Sequence, residues 1–199
     1  ESGTTRENQH LDARVGDCHY MLVDTPGFQR PTRVLNWLQE HATTAEKRQE
    51  AVQQFVSNMD CKQQFPDEVE LLTPIMDGAA ILYVVDGSRP YGPEYEVEME
   101  ILRWAGQASM ALINPIENQD HIQSWQQALG QYFKVVRVFN AMQADFDKQR
   151  SVLVAFSIIK QEWHTAITRL IDAYQKVRTQ QRNESVQLLV ELLTTLCTY

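Results

Sequence analysis

Long apolar runs, clustered cysteines and basic stretches are what this 199-residue sequence has little of, and each shortage removes a class of function. No run approaches the ~20 residues that cross a bilayer, and no signal peptide opens the chain, so a soluble protein is expected. Cys18, Cys61 and Cys197 stand far apart in no CxxC or Cys/His pattern, which indicates neither a disulfide framework nor a zinc site and points to a reducing cytosol. A net charge of −8 argues against nucleic acid as main partner, because neutralising phosphates takes clustered Lys and Arg. His10, His19, His41, His121 and His164 fall into no HExxH spacing, and no GxSxG occurs. The phosphate-cradling pattern GxxxxGK(S/T) is absent as well.

What remains is ordinary globular material: 43% apolar and 22% charged residues suffice for one α/β domain with an appendage. The chain opens on Glu1 rather than Met and ends inside an apolar helical pattern (Val186, Leu189, Leu193, Leu196) without a Gly or Pro stop, so both ends are expected to be cuts.

Residues 8 to 15 and 17 to 23 alternate around Gly16-Asp17 and predict an antiparallel hairpin whose second strand ends at Asp24, before Thr25-Pro26-Gly27. Residues 32 to 41, 45 to 59 and 67 to 76 read as helices. Residues 79 to 85 (AAILYVV) form a strand too apolar to have a wet face, and a central position in the sheet follows. Helix over 94 to 104, strand over 109 to 113, helix over 122 to 132 and strand over 135 to 139 then alternate, which predicts a doubly wound, mostly parallel α/β sheet. Beyond about Asp145 the alternation stops. Val152, Phe156, Ile159, Trp163, Ile167, Leu170, Tyr174 and Val177 recur at steps of three and four, predicting one long amphipathic helix, and the polar stretch 178 to 184 is expected to break it before a final Leu-rich helix.

The sharpest constellation is Gly3-Thr4-Thr5-Arg6, then the hairpin, then Asp24-Thr25-Pro26-Gly27. An Asp at the tip of a strand can hold Mg²⁺ through its water shell, and a Gly just beyond lets a backbone N–H approach a γ-phosphate. A loop threonine earlier in the chain can offer its hydroxyl to the same ion and be ordered only while that phosphate is present. Elsewhere the bland readings weigh more. Glu94, Glu96, Glu98 and Glu100 read as a solvated helix flank, Trp163 and Tyr174 as core, and Asp86 as a strand-end cap.

On these motifs the chain resembles the Era-like branch of translation-factor-class P-loop GTPases. GTTR is similar to the first switch motif, LVDTPG to the second, ILYVVDGSRP to the next core strand, MALINP to the strand leading into the guanine-specificity loop, and VFNA to the last base-contacting loop. More narrowly, YVVDGSRPYGPEYEVEMEILRWAG followed by LINP resembles bacterial members with a poorly characterised helical C-terminal domain. The resemblance implies a GTPase domain over residues 1–144, lacking its first strand and P-loop, and a helical region over 145–199. It implies Mg²⁺ on Thr5 (with Thr4 as the other choice) and on Asp24, and nucleotide contacts from Thr4, Thr25, Pro26, Gly27, Asn114, Glu117, Asn140 and Ala141. Phe28 falls where some GTPases carry a water-positioning Gln, so hydrolysis is expected to be slow.

The implied activity is a GTP/GDP switch with a protein effector on residues 28 to 78, in the cytoplasm, with the apolar face of 186 to 197 leaving attachment at the inner membrane open. The P-loop is expected before Glu1, and without it nucleotide binding is expected to be weak or nil. Asn114-Pro115-Ile116-Glu117 stands where NKxD is expected, which leaves guanine selectivity open. The alternative is a degenerate GTPase fold serving as a non-catalytic interaction module.

Overall fold

The computed structural model describes residues 8–197, with side chains as far as Glu191. It begins with β1 (Gln9–Val15) and β2 (Cys18–Asp24), paired antiparallel from Gln9↔Asp24 to Val15↔Cys18. Gly16, at φ 58°, supplies the positive φ that a type II′ turn asks of its first central residue.

A helical layer follows, consisting of α1 (Pro31–His41), a 3-10 turn (Ala45–Lys47), α2 (Arg48–Ser57), α3 (Met59–Gln64) and α4 (Pro66–Met76). The helix expected over 45 to 59 is divided because the Asn58 side chain accepts from the N–H groups of Asp60 and Cys61, capping α3 while α2 ends. Next come β3 (Ile81–Asp86), α5 (Glu94–Trp104), β4 (Ser109–Asn114), α6 (Ile122–Leu129) and β5 (Val135–Val138). The three strands are parallel in the order β3-β4-β5, a mixed α/β architecture.

One face of this sheet, with Ile81, Val85, Ala111 and Ile113, joins α1, α2, α4, α5 and α6 in the main core around Phe55, Leu72, Met99 and Trp125. The other face carries Met110 and Leu112 against α7 (Phe146–Ile159). α7 packs on β4 and β5, and the expectation of a central strand is not met among the described residues. Among the described residues β3 is an edge, with Leu82 40% and Val84 55% exposed although both are aliphatic.

The predicted single C-terminal helix is instead α7, a 3-10 turn (Gln161–Trp163) and α8 (His164–Cys197). The reversal occurs at Lys160, whose ammonium reaches the Gly78 carbonyl at 2.9 Å and lies 4.4 Å from the Trp163 ring centroid. An apolar stripe at steps of three and four looks the same on both sides of such a reversal. No break occurs at 178 to 184, because Arg, Gln and Glu are good helix formers and Gln180 bonds Glu184 one turn on. α8 packs on the hairpin through a 2.7 Å bond between the Tyr20 and Tyr174 hydroxyls. Burial, reinforced by that bond, pushes the Tyr20 phenol up to about 12.

The acidic flank of α5 is more engaged than its sequence suggests. Glu100 pairs with Arg103 and accepts from the Trp104 indole at 2.8 Å, and Glu98 accepts from the half-buried Tyr83 hydroxyl at 2.9 Å. Burial raises the Glu98 carboxyl despite that bond, with the Glu94 charge adding to it. A raised folded pKa means stabilisation that is complete below the ordinary Glu value and lost as pH rises through the folded one. Glu98→Gln keeps the acceptor and removes the charge. The variant should therefore melt at or above the parent temperature at pH 7, an advantage that shrinks below about pH 4.

Candidate functional site

Parallel sheets present their ligand sites beyond the carboxyl ends of the strands, and here Asp86, Asn114 and the Asn140-Ala141 pair occupy those ends. The loops after β4 and β5 are interlocked: Asn114 Oδ1 accepts from the Ala141 N–H at 3.3 Å, and Asn140 Nδ2 donates to the Pro115 carbonyl at 3.1 Å. Both asparagines are half-buried and engaged, whereas Glu117 and Ala141 are exposed. Ile116 and Met142 are exposed apolar residues on the same two loops.

The loop after β3 is locked to this pair. Gly87 donates to the Asn114 carbonyl at 2.9 Å, and a Cβ on it would lie 2.6 Å from Ile113 Cγ2, so the close approach needs glycine. Ser88 then bridges: its N–H donates to Asp86 Oδ1 at 2.9 Å, and its hydroxyl accepts from the Glu117 N–H at 2.8 Å. Burial opposes ionisation of Asp86, but the backbone and hydroxyl of Ser88, the Arg89 guanidinium and the Ile116 N–H outweigh it and hold the carboxyl below its ordinary range. The strand-end capping role is therefore real, and it extends to the neighbouring loop. Ser88→Ala should cost about 1 kcal/mol and speed hydrogen exchange at the Glu117 amide. Unchanged exchange there would remove Ser88 from the lock.

The second group of predicted residues lies at the end of β2. Asp24 is exposed at the strand terminus, Thr25 half-buried and Pro26 buried. Phe28 packs on the main core, so its ring serves as a structural anchor of the loop. Gly27 meets nothing within 4 Å where a Cβ would stand, and its φ is not positive. Neither space nor backbone among the described residues requires glycine there. Thr4 and Thr5 lie outside the described residues.

Glu68, Ser88 and Trp125 went unrecognised in the sequence. Glu68 is 1% exposed and takes the N–H of Gln29 at 3.1 Å and that of Arg30, fixing the loop that follows Gly27. Its signal was a carboxylate on the apolar stripe Phe65, Val69, Leu72, Ile75. Trp125 donates from Nε1 to the Arg89 carbonyl at 2.8 Å and meets Tyr91 and Tyr95 edge-on, holding the β3–α5 loop against α6. Among the described residues, no three His, Cys, Asp or Glu are grouped to hold a metal, and no helix is long and apolar enough to cross a membrane.

A family described as "Domain of unknown function (DUF3482)" matches residues 126–199, from within α6 through β5, α7 and α8. No curated protein and no solved structure matches the chain.

Proposed function

We propose that this chain comes from a GTP-binding molecular switch of the Era-like P-loop class, with slow hydrolysis and the doubly wound fold of that class. The observation that carries the reading is the interlocking of Asn114, Pro115, Asn140 and Ala141 beyond the parallel strands, since these are the loops that the resemblance assigns to the base.

Two further features support it. Gly27 has no structural need of glycine, as expected of a residue whose N–H must meet a phosphate. Among the described residues one edge of β3 is unpaired, with Leu82 and Val84 exposed. A P-loop strand pairing with that edge, followed by its helix, would cover these two side chains.

In this reading Asp24 would hold Mg²⁺ through water, with Thr5, or Thr4, as the other ligand, and the ion would offset the charge of the phosphates. The exposed carboxylate at the tip of β2 suits an outer-sphere contact. Pro115 argues for the second reading, an interaction module: it is buried where the family's Lys would lie over the base, and its carbonyl is taken by Asn140.

Fluorescent GTP titrated into the protein carrying an upstream P-loop segment, with and without Mg²⁺ and with ATP as competitor, decides between the two. Mg²⁺-dependent binding that ATP does not displace is expected. No binding would leave the interaction module.

A further inference from the structure

α4 is held from two sides by two chain segments far away in sequence. Glu68 receives the N–H groups of Gln29 and Arg30, the residues between Phe28 and the start of α1. Glu70 receives Asn8, the second residue after the GTTR segment, whose backbone N–H donates to Glu70 Oε1 at 3.1 Å while its Nδ2 donates to the Glu70 carbonyl at 2.8 Å. Positions two apart on an α-helix face about 200° apart around the axis, so the two segments reach α4 from different sides.

Proline chemistry makes the second attachment available. The helical partner of the Glu70 carbonyl would be the N–H of residue 74, and Pro74, inside α4, has none. The orphaned carbonyl is the one that the Asn8 amide fills. A buried carboxylate on one side and a proline-vacated carbonyl on the other therefore attach both segments to one helix, which packs in turn on α2 and α3.

We infer that α4 is a mechanical coupler between the segment after GTTR and the loop after Gly27, so that loosening either attachment loosens the other. That these segments are the two switches rests on the GTPase reading. The coupling does not, and its test uses no nucleotide.

Hydrogen exchange in the full chain reads it directly. Asn8→Ala removes one donor to Glu70. Pro74→Ala restores a helical N–H that competes with Asn8, and it should fold because alanine suits a helix interior better than proline. Both variants should speed exchange at the Gln29 and Arg30 amides by about twofold or more, the lower end of coupling within one hydrogen-bond network. Asp145→Ala, which removes the N-cap of α7, controls for general destabilisation. Unchanged exchange at residues 29 and 30 in both variants, or equal acceleration in Asp145→Ala, would overturn the coupling. Failure of GTP to bind would overturn the switch reading and leave this result standing.

Discussion

Asp24→Ala, in the protein carrying a P-loop segment, is expected to weaken Mg²⁺-supported GTP binding by about 10 to 100-fold, the range typical for loss of an outer-shell partner of a metal. Binding measured in EDTA should change little, because in the proposed switch the carboxylate would act through the ion. The reason lies in position: Asp24 closes β2, is exposed there, and stands three residues before a glycine that nothing in its surroundings requires. Equal loss with and without Mg²⁺ would show a folding defect or a direct contact, and the assigned role would fall. Thr5→Ala should share the Mg²⁺ dependence if Thr5 is the second ligand, and Thr4→Ala should share it if the choice between them is the other way.

Trp125→Ala should be the most destabilising single change in the parallel-sheet half, at about 3 to 5 kcal/mol and a melting shift of the order of 10 °C. The indole is buried, stacks edge-on with two tyrosines 5.2 and 4.9 Å away, and donates to the Arg89 carbonyl. Truncation opens a cavity and orphans that carbonyl. Trp125→Phe should lie between, since it keeps most of the packing and loses the donor. Urea unfolding measures both, and a loss below about 1 kcal/mol in Trp125→Ala would contradict the burial argument. Both variants should also loosen the Asp86–Ser88–Glu117 lock, since the β3–α5 loop is held from one side by the indole and from the other by Ser88.

The elements were legible in the sequence where one physical signal acted alone. The hairpin follows from alternation around Gly16-Asp17, and α5 matches its expected limits because its apolar stripe has no competing cap. Residues that answer to two signals were misread. Asn58 ends one helix and starts another, and Lys160 reverses the chain without disturbing the period of the stripe. The exposed side chains of β3 follow from strand order, which no pattern inside residues 79 to 85 contains. At the candidate site, Asn114, Asn140 and Ala141 were chosen from the resemblance alone, and the two amide hydrogen bonds that join their loops could not be read from the sequence because they form between segments 25 or more residues apart. Glu68 and Trp125 were hidden because a carboxylate in a helix reads as solvated and an indole on a stripe reads as filling, and only tertiary partners distinguish them.

α8 has a mechanical consequence. Arg178 of α8 lies over the Phe146 ring, and residues 179 to 191 beyond it are exposed. The helix runs on to Cys197, roughly 30 Å further at the rise of an α-helix. A tilt of about 10° at the hairpin end, where Tyr174 meets Tyr20, would carry the far end through about 6 Å by the same geometry. A helix of that length, held at its hairpin end, would turn a small displacement of the strand that ends in Asp24 into a larger one at its far end.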